Sequence, residues 1–361
     1  MNYKYICIEC RNKFEPEFNN LKCQNGDCKF LDTACFDIIF DKIDDLPKFD
    51  SYNLGEGNTP TIDVSKKFPE ILSANLKLEY FSPTGSFKDR GTSVLIKQAY
   101  INGVREFAED SSGNAGASMS AYAANIGMKA HIFTPTSTPE NKKNQIKIFG
   151  SEIHLIDGPR ENSTIEVKKF TKSTGINYLS HNYNPFFIEG MKSFGYEIFN
   201  EFNTEVTDIV IPVGNGSLLI GAIKAYEELI QLKIISNMPK IHCVQVENFS
   251  PIVKKFNNIK WNFDESSNTL AGGIAVTNPP RINQVIDALK RSNGTAVEVA
   301  EENVLNWHRK LATWGILSEI TCAAALSGTE KLIESGILNK NSNVLIPITG
   351  SGLKDIDKVN L

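Results

Sequence analysis

Short apolar runs alternate with amphipathic or small-residue stretches along most of this chain, and this alternation constrains the fold more than any other feature. Beginning at about residue 75, runs typical of strands are followed by stretches with helical spacing, and few junctions carry hairpin signals. The pattern predicts an α/β fold with parallel-type sheets covered by helices. In such folds ligands sit in the loops that lead from the carboxyl ends of strands into helices.

The predicted elements follow one another closely, and two of the predicted helices end at a glycine that closes them. The predicted strands are 74–80, 129–135, 152–158, 207–214, 240–247 and the start of 343–352, with a further strand end and loop at 106–113. The predicted helices are 89–103, 115–127, 140–150 and 218–232.

The bulk properties narrow the class of protein. A length of 361 residues exceeds what one hydrophobic core normally serves, so two domains and a small appendage are expected. The formal net charge of -4 does not favour a nucleic-acid partner. The N-terminal "MNYKYICIEC" lacks the apolar region of a signal peptide, and no apolar run approaches the roughly 20 residues that span a bilayer. We therefore expect a cytoplasmic protein with no membrane partner.

Five of the seven cysteines lie in the first 35 residues, and four of these form two short knuckles. Two residues separate Cys7 from Cys10, four separate Cys23 from Cys28, and twelve lie between the pairs. In a long chain without a secretory signal, this spacing indicates thiolates that close a tetrahedral structural zinc site rather than disulfides. A reduced N-terminal extension without a metal is the alternative.

Two loops of small residues fall where predicted strands lead into helices. Residues 212–217, "PVGNGS", place Gly214, Asn215, Gly216 and Ser217 ahead of a helix. Glycines let backbone N–H groups approach a ligand and a helix N-terminus favours an anion, so this loop is a candidate phosphate cradle. A tight turn without any ligand explains the loop equally well.

The second loop is "EDSSGNAGAS", residues 109–118, which places Ser111, Ser112 and Asn114 before a helix of very small residues. These side chains either face an anion or simply cap the helix. A further polar residue, Thr349, ends a predicted strand in "PITGSGLKD", where its hydroxyl either faces a cleft or belongs to a turn.

The stretch "SPTGSFKDRGT", residues 82–92, holds one lysine, Lys88, behind a turn of small residues and next to Phe87. A lysine that acts as a nucleophile must lose its proton part of the time, and partial desolvation favours this. The apolar neighbour and the turn are compatible with such a role. Lys88 is therefore the candidate reactive amine.

Taken in order along the chain, these motifs resemble the fold-type II pyridoxal-phosphate-dependent enzymes of the tryptophan synthase β superfamily, and within them the threonine synthases. The resemblance covers nearly the whole chain through "SPTGSFKDRG", "SSGNAGAS" and "TGSGLKD", with "GEGNTP", "NPFFIEG" and "AGGIAVTNPPR" in support. The cysteine-rich N-terminus is similar to the ribbon with which archaeal-type threonine synthases often begin. The resemblance implies pyridoxal 5'-phosphate as the cofactor, an amino acid as the substrate and a homodimer as the assembly.

The resemblance also implies roles for single residues. Lys88 would hold the cofactor as a Schiff base and, once displaced, move protons at the substrate carbons. Asn114 would hydrogen-bond the 3' oxygen of the ring, and Thr349 would face the pyridine nitrogen, where a neutral hydroxyl suits elimination over transamination. The substrate carboxylate would bind the loop of Ser111, Ser112 and Ala115. The cofactor phosphate would bind the N–H groups of Gly214, Asn215, Gly216 and Ser217.

The sequence departs from the family in the part that binds a leaving group. Phe187 stands where the motif "NPxRxEG" usually has an arginine that helps bind the phosphate of O-phosphohomoserine, and an aromatic ring does not replace a bidentate guanidinium. The family element "EPTSA" reads "EITCA" at 319–323. Asn182, His181 and Lys192 are candidates for a replacement anion site, although His181 and Lys192 also fit as ordinary surface or helix-face residues.

The family resemblance implies a small domain that closes on a larger one, with the cofactor in the cleft between them. The corresponding boundaries are a zinc-ribbon-like segment at 1–36, a large cofactor-binding domain at 37–90 and 182–361, and a small mobile domain at 91–181.

Three functions are compatible with the sequence. The first is a threonine synthase-like lyase or synthase that acts on an activated amino acid, with O-phosphohomoserine as the first substrate to test. The second is an ammonia-lyase or a β-replacement enzyme for a non-phosphorylated amino acid, which Phe187 favours. The third is a non-catalytic regulatory paralogue, against which the intact Lys88, Asn114 and Thr349 argue.

Overall fold

The computed structural model describes residues 2–18, 22–28, 35–111, 113–158, 160–264 and 266–356. The chain divides into two compact units. The first unit comprises Met1–Ile43, Pro47–Glu56 and Lys88–Gly190, and the second comprises Asp44–Leu46, Gly57–Phe87 and Met191–Leu361. In this division the cysteine-rich segment and the stretch 91–181 belong to the same unit, while the domain boundaries expected from the sequence remain a prediction.

The strands are β1 (Tyr3–Cys7), β2 (Lys13–Phe14), β3 (Phe36–Phe40), β4 (Thr61–Asp63), β5 (Ser73–Lys77), β6 (Glu106–Glu109), β7 (Lys129–Pro135), β8 (Glu152–Ile156), β9 (Asn177–Tyr178), β10 (Asp208–Pro212), β11 (Lys240–Val246), β12 (Ala296–Val299) and β13 (Asn343–Pro347).

The helices are α1 (Lys88–Ile101), α2 (Asn114–Asn125), α3 (Glu140–Ile148), α4 (Arg160–Thr174), α5 (Pro185–Phe202), α6 (Ser217–Gln231), α7 (Pro251–Phe256), α8 (Ile282–Arg291), α9 (Glu301–Thr313) and α10 (Ile320–Glu334). Short 3-10 turns lie at Ser65–Lys67, Glu79–Phe81, Glu247–Phe249, Gly272–Ile274 and Gly352–Lys354.

The first unit contains a parallel sheet with the strand order β8-β7-β6-β9. β7 is buried along its length except at its first residue, because helices α2 and α4 both pack against it. Phe133 of β7, Ala108 of β6 and Val167 of α4 meet in a small core. Burial of this kind explains why Ile132 and Phe133 are consecutive apolar residues in β7 rather than alternating with polar ones.

The second unit contains a six-stranded sheet with the order β12-β11-β10-β13-β5-β4. All neighbouring strands in it are parallel except the edge pair of β4 and β5. β10 is buried at all of its positions. The hydrophobic core of this unit includes Val210, Val244, Leu326 and Val344.

The α/β class with two largely parallel sheets covered by helices is confirmed, and two features were not anticipated. β4 is antiparallel to β5 because only residues 64–72 connect them, which is too short for the crossover that a parallel pair needs. The cysteine-rich segment contributes a separate antiparallel sheet with the order β2-β1-β3. No helix in the described ranges is both long and apolar enough to cross a membrane.

The parallel arrangement gathers particular loops at one edge of each sheet, since the carboxyl ends of parallel strands point the same way. In the second unit the segments that follow β5, β10 and β13 contain residues 82–87, residues 214–217 and Thr349. In the first unit the equivalent positions after β6 and β9 contain Glu109 and His181. The motifs found in the sequence therefore occupy ligand-binding edges.

Helices α1 and α5 approach each other closely at Gly190. A Cβ on this residue would lie 2.2 Å from the carbonyl oxygen of Arg90 and 2.8 Å from Cα of Gly91. We expect Gly190→Ala to lower the free energy of unfolding by about 1–3 kcal/mol, because backbone atoms have to move to make room. Urea denaturation measures this. Asn200→Ala at an exposed position of the same helix is the control, and equal losses in both variants would contradict the close approach.

Candidate active site

The small-residue stretch before Lys88 is held by backbone hydrogen bonds to the loop after β13. The N–H of Phe87 donates to the carbonyl of Thr349 at 3.1 Å, and the N–H of Ser351 donates to the carbonyl of Gly85 at 3.0 Å. Gly85 has a φ of 76°, a conformation that glycine adopts without strain. The turn therefore fixes the backbone immediately before Lys88.

Lys88 is the first residue of α1 and is half-buried. Its Nζ lies 5.8 Å from the centroid of the Phe187 ring, within the range of a cation–π contact. Phe187 itself is fully buried. The residue that replaces the family's arginine is thus an apolar wall beside the candidate reactive amine.

A buried acid–base pair lies at the carboxyl edge of the first unit's parallel sheet, where β6 and β9 end. The Oε1 atom of Glu109 contacts Nδ1 of His181, and the backbone N–H of His181 donates to Oε2 of Glu109 at 3.1 Å. Burial raises the pKa of Glu109 to about 8. Burial, followed by the positive charges of Lys88 and Arg160, holds the pKa of His181 well below its ordinary value. Both side chains are therefore neutral near pH 7.

Arg160 is a second cation of this region that the sequence motifs did not reveal. It begins α4 and is half-buried, and its charge acts on Glu109, Asp110 and His181. The charge of Lys88 acts on Glu109 and His181 as well. The signal available in the sequence was its position, because Arg160 comes two residues after the end of the predicted strand 152–158.

The loop before α2 is packed too tightly for larger residues. A Cβ on Gly116 would lie 2.5 Å from the carbonyl oxygen of Ser111. Ser111 is buried, and Asn114 is the first residue of α2. The Ser118 hydroxyl donates to Oδ1 of Asp89 at 2.6 Å, which ties α2 to α1 next to Lys88.

The remaining predicted substrate residues have different positions. Ala115 is buried in the first turn of α2, and Asn182 is half-buried in the loop after β9, where its N–H donates to the Ser180 hydroxyl at 3.3 Å. Ser112 lies outside the described residues. Lys192 belongs to the second unit, where its Nζ is 2.9 Å and 3.1 Å from the two carboxylate oxygens of Glu228. This ion pair gives Lys192 a structural role.

The glycine loop of the second unit has the properties of a phosphate cradle. Gly216 has a φ of 90°, and a Cβ there would lie 2.3 Å from Cγ2 of Val285. A Cβ on Gly214 would lie 3.0 Å from the carbonyl oxygen of Gly273. Gly216 precedes α6 and has no side chain with which to cap it, so the first N–H groups of this helix are suited to an external anion. The donor set therefore fits the phosphate of pyridoxal phosphate.

Thr349 is buried near two other motif segments of the second unit. Its Oγ1 lies 3.4 Å from Sγ of Cys322. Thr321, the residue before Cys322, accepts a hydrogen bond at its Oγ1 from the N–H of Gly273 at 3.0 Å. Burial raises the pKa of the Cys322 thiol to about 12, so the thiol is neutral near pH 7. A hydroxyl beside a neutral thiol fits a pyridine nitrogen that carries no proton.

The structure thus distributes the predicted residues over its two units. The first unit contains Lys88, Ser111, Asn114, Ala115, Asn182 and Phe187, and the second contains Gly214, Asn215, Gly216, Ser217 and Thr349. In the first unit, the predicted residues of the loop before α2 follow β6, and Asn182 and Phe187 follow β9. In the second unit, residues 214–217 follow β10 and Thr349 follows β13. Lys88 begins α1, the element of the first unit that comes after β5 in the chain.

The four N-terminal cysteines converge. Their sulfur atoms all lie within 4.8 Å of one another, with 3.9 Å between Cys7 and Cys28 and 3.5 Å between Cys10 and Cys23. Zinc–thiolate bonds of about 2.3 Å in a tetrahedron place sulfur atoms about 3.8 Å apart. The arrangement therefore fits a zinc ion.

The raised pKa of Glu109 predicts a pH dependence of stability. The folded protein holds the proton of this carboxyl more tightly than the unfolded chain does, so the contribution to stability is complete below about pH 4.5 and is lost as the pH rises toward 8. We expect the free energy of unfolding of the wild type to fall by roughly 2 kcal/mol between about pH 6 and about pH 8. Glu109→Gln stays neutral and should not show this fall. Urea denaturation at both pH values measures this loss. Exposed Glu334→Gln is the control, and an unchanged profile in Glu109→Gln would refute the assignment.

Comparison with families and curated proteins assigns the chain to a family. Residues 52–350 match the family described as pyridoxal-phosphate dependent enzyme. Threonine synthase of Methanocaldococcus jannaschii is 32% identical over 84% of this chain and 77% of the relative. Threonine synthase of Methanosarcina acetivorans is 30% identical over 98% of this chain and 92% of the relative. Threonine synthase of Bacillus sp. (strain ULM1) is 34% identical over 84% of this chain and 85% of the relative.

Solved structures share the fold at lower sequence identity. Maize serine racemase superposes with a TM-score of 0.71 at 20% identity, over 83% of this chain and 92% of that one. A fungal L-serine ammonia-lyase from Rhizomucor miehei gives a TM-score of 0.72 at 20% identity, over 83% and 96%. Together with the motifs described above, these matches show that the chain belongs to the pyridoxal-phosphate-dependent enzymes of fold type II, in their threonine synthase-like branch, and that its cofactor is pyridoxal 5'-phosphate.

Proposed function

We propose that the protein is a threonine synthase-like enzyme that converts O-phosphohomoserine and water to threonine and inorganic phosphate. The threonine synthase relatives, which match most of the chain, support this reaction class. The observation that carries the proposal is the setting of Lys88, at the start of α1 beside Phe187 and within the electrostatic reach of Glu109 and His181.

The proposed site divides the work among its residues. The bound cofactor supplies an electron sink for charge that develops on the substrate carbons. The amine of Lys88 removes and returns protons at those carbons. The N–H groups of Gly214 through Ser217 would bind the cofactor phosphate, Asn114 would hydrogen-bond the ring oxygen and Thr349 would face the ring nitrogen. The buried loop at Ser111 binds the substrate carboxylate.

We propose that Arg160 binds the phosphate of the substrate. Phe187 has no charge to offer, whereas the guanidinium of Arg160 acts on the same Glu109–His181 pair as Lys88 does. The described residues include no carboxylate in an ion pair with Arg160. A guanidinium binds phosphate through two parallel hydrogen bonds, so one arginine supplies most of what the family's residue would.

We expect the purified holoenzyme to release phosphate from O-phosphohomoserine and to form threonine in equal amounts. Lys88→Ala should lower kcat at least about a hundredfold, because the proton-transfer group is gone. Arg160→Gln should raise KM for O-phosphohomoserine roughly tenfold to a hundredfold, because a charged hydrogen bond to phosphate is lost. Coupled assays of phosphate and threonine measure both effects.

Lys97→Ala is the matched control for the lysine, because Lys97 lies on the same helix and its Nζ is 4.5 Å from the ring of Tyr52. This variant should keep wild-type kinetics. Absence of phosphate release, together with formation of pyruvate or 2-oxobutyrate from serine or threonine, would replace the proposal with an ammonia-lyase. A cofactor absorbance band that no amino acid shifts would instead support a non-catalytic paralogue.

The ammonia-lyase or β-replacement function keeps one specific observation in its favour. The ring of Phe187 is fully buried near both Lys88 and His181, with 5.6 Å between the Phe187 and His181 ring centroids. A wall of this kind suits an uncharged substrate side chain. The homodimer implied by the family resemblance is a further prediction for the assembly.

We also propose that Cys7, Cys10, Cys23 and Cys28 bind one structural zinc ion. Replacing Cys10 and Cys23 together with serine should remove one equivalent of zinc per chain and lower the melting temperature, since thiolate ligation orders this small segment. Elemental analysis and calorimetry measure these effects. Cys35→Ser is the matched control, because Cys35 is buried in the same segment but lies outside the cluster. Absence of stoichiometric zinc from the unaltered protein would favour the metal-free alternative, and equal zinc content in the double variant and the control would place the ion elsewhere.

A further inference from the structure

A second cluster of metal-ligating side chains lies on the parallel sheet of the first unit, away from the loops discussed above. It consists of His131 on β7 and Glu152 and His154 on β8, whose potential ligand atoms all lie within 4.8 Å of one another. His131 and Glu152 are register partners on neighbouring strands, and His154 is two residues beyond Glu152. All three side chains therefore project from the same face of the sheet.

The spacing of the ligand atoms fits a small divalent ion. Nδ1 of His131 lies 3.1 Å from Nε2 of His154 and 3.5 Å from Oε2 of Glu152, and Nε2 of His154 lies 3.5 Å from Oε1 of Glu152. A tetrahedral zinc ion with bonds of about 2.0–2.2 Å places its ligands about 3.3–3.6 Å apart. The two ring nitrogens and the Glu152 carboxylate are thus spaced close to three corners of such a tetrahedron, with each carboxylate oxygen 3.5 Å from one of the nitrogens.

The His131 ring is oriented as in a protein metal site. Its Nε2 lies 2.8 Å from Oε1 of Glu106, so Nε2–H donates to this carboxylate and the lone pair of Nδ1 faces His154 and Glu152. Metal-bound histidines commonly donate their other ring N–H to a carboxylate in this way. The arrangement fixes the tautomer that ligation requires.

Aromatic packing holds both imidazole rings in place. Phe133 stacks on His154 with 4.3 Å between ring centroids and an interplanar angle of 7°. The ring centroid of Phe170 on α4 lies 5.0 Å from that of His131 and 5.4 Å from that of His154. The Glu152 side chain is 51% exposed, so an ion reaches the cluster from that side.

The charged side chains near the cluster favour binding of a cation. Lys129 is the one competing ammonium group described at this position, with its Nζ 3.0 Å from Oε1 of Glu106 and 3.6 Å from Oε2 of Glu152. Two carboxylates against one lysine give the cluster a net negative charge when both histidines are neutral. A divalent ion would compensate that charge.

We propose that His131, Glu152 and His154 form a binding site for a divalent transition-metal ion such as Zn²⁺, with solvent as the fourth ligand. Two imidazoles and one carboxylate favour zinc, cobalt, nickel or copper over magnesium or calcium. Glu106 begins β6 and Glu109 ends it, so about 10 Å of strand separates this cluster from the Glu109–His181 pair. The ion therefore stabilises the sheet and takes no part in the reaction, and the proposal is independent of the proposed function.

The test uses the full-length holoenzyme with its cysteine cluster already loaded with zinc and with loosely bound metal removed by dialysis. Titration with Co²⁺ should show one further equivalent per chain, with the visible bands of nitrogen and oxygen ligands and without a thiolate charge-transfer band. His154→Gln should weaken Co²⁺ binding at least about a hundredfold, and Glu106→Gln roughly tenfold to a hundredfold. Zn²⁺ should raise the melting temperature of the wild-type protein but not of His154→Gln, and Mg²⁺ should raise neither.

A second variant keeps all three ligands, so the proposal can still be tested if His154→Gln does not fold. Lys129→Met removes the competing cation, and we expect it to tighten Co²⁺ binding by roughly threefold to tenfold. Phosphate release by His154→Gln should equal that of the wild type, which separates this site from the catalytic one. Co²⁺ binding that is the same in the wild type, His154→Gln and Lys129→Met would overturn the proposal.

Discussion

Burial of parallel strands on both faces is the constraint on which the rest of the structure depends. Strands such as β10 are surrounded by apolar side chains, so polar groups in mid-strand would remain without partners. The loops of the candidate active site therefore lie at strand ends, and a polar side chain inside a strand needs a polar partner, as His131 has in Glu106. β6 illustrates this, because Glu106 at its start holds His131 while Glu109 at its end contacts His181. One short strand thus separates the proposed metal site from the candidate active site.

Buried cations in the chain have two kinds of surroundings. Lys77 is fully buried and lies 2.8 Å from a carboxylate oxygen of Glu197, and Lys192 is held by Glu228. A buried charge that is paired in this way is structural. Lys88 is half-buried and has the aromatic ring of Phe187 5.8 Å from its Nζ. Lys88, the candidate reactive amine, is thus more exposed than Lys77 and Lys192 and has an aromatic neighbour, which the sequence around each lysine does not show.

Much of the fold followed from local patterns. The strand predicted at 129–135 has the observed bounds, and the helix predicted at 218–232 differs from the observed one by a single residue at each end. The antiparallel β4 was missed, because three residues carry too little periodicity to identify a strand. Arg160 was missed for a related reason. A single basic residue shortly after a strand is ordinary, and only the folded sheet brings its charge to Glu109 and His181.

The sequence by itself determined the α/β class, the order of the motifs, the family and its cofactor, because glycine loops and buried strands impose local requirements that few other residues meet. It also located the substitution at Phe187. Only the tertiary structure decided which side chains share an environment. The neutral Glu109–His181 pair, the Cys322 thiol beside Thr349 and the cluster of His131 with His154 each join residues that are distant in sequence. Such pairs depend on strand register and burial, which are set by packing of the whole sheet rather than by any local stretch.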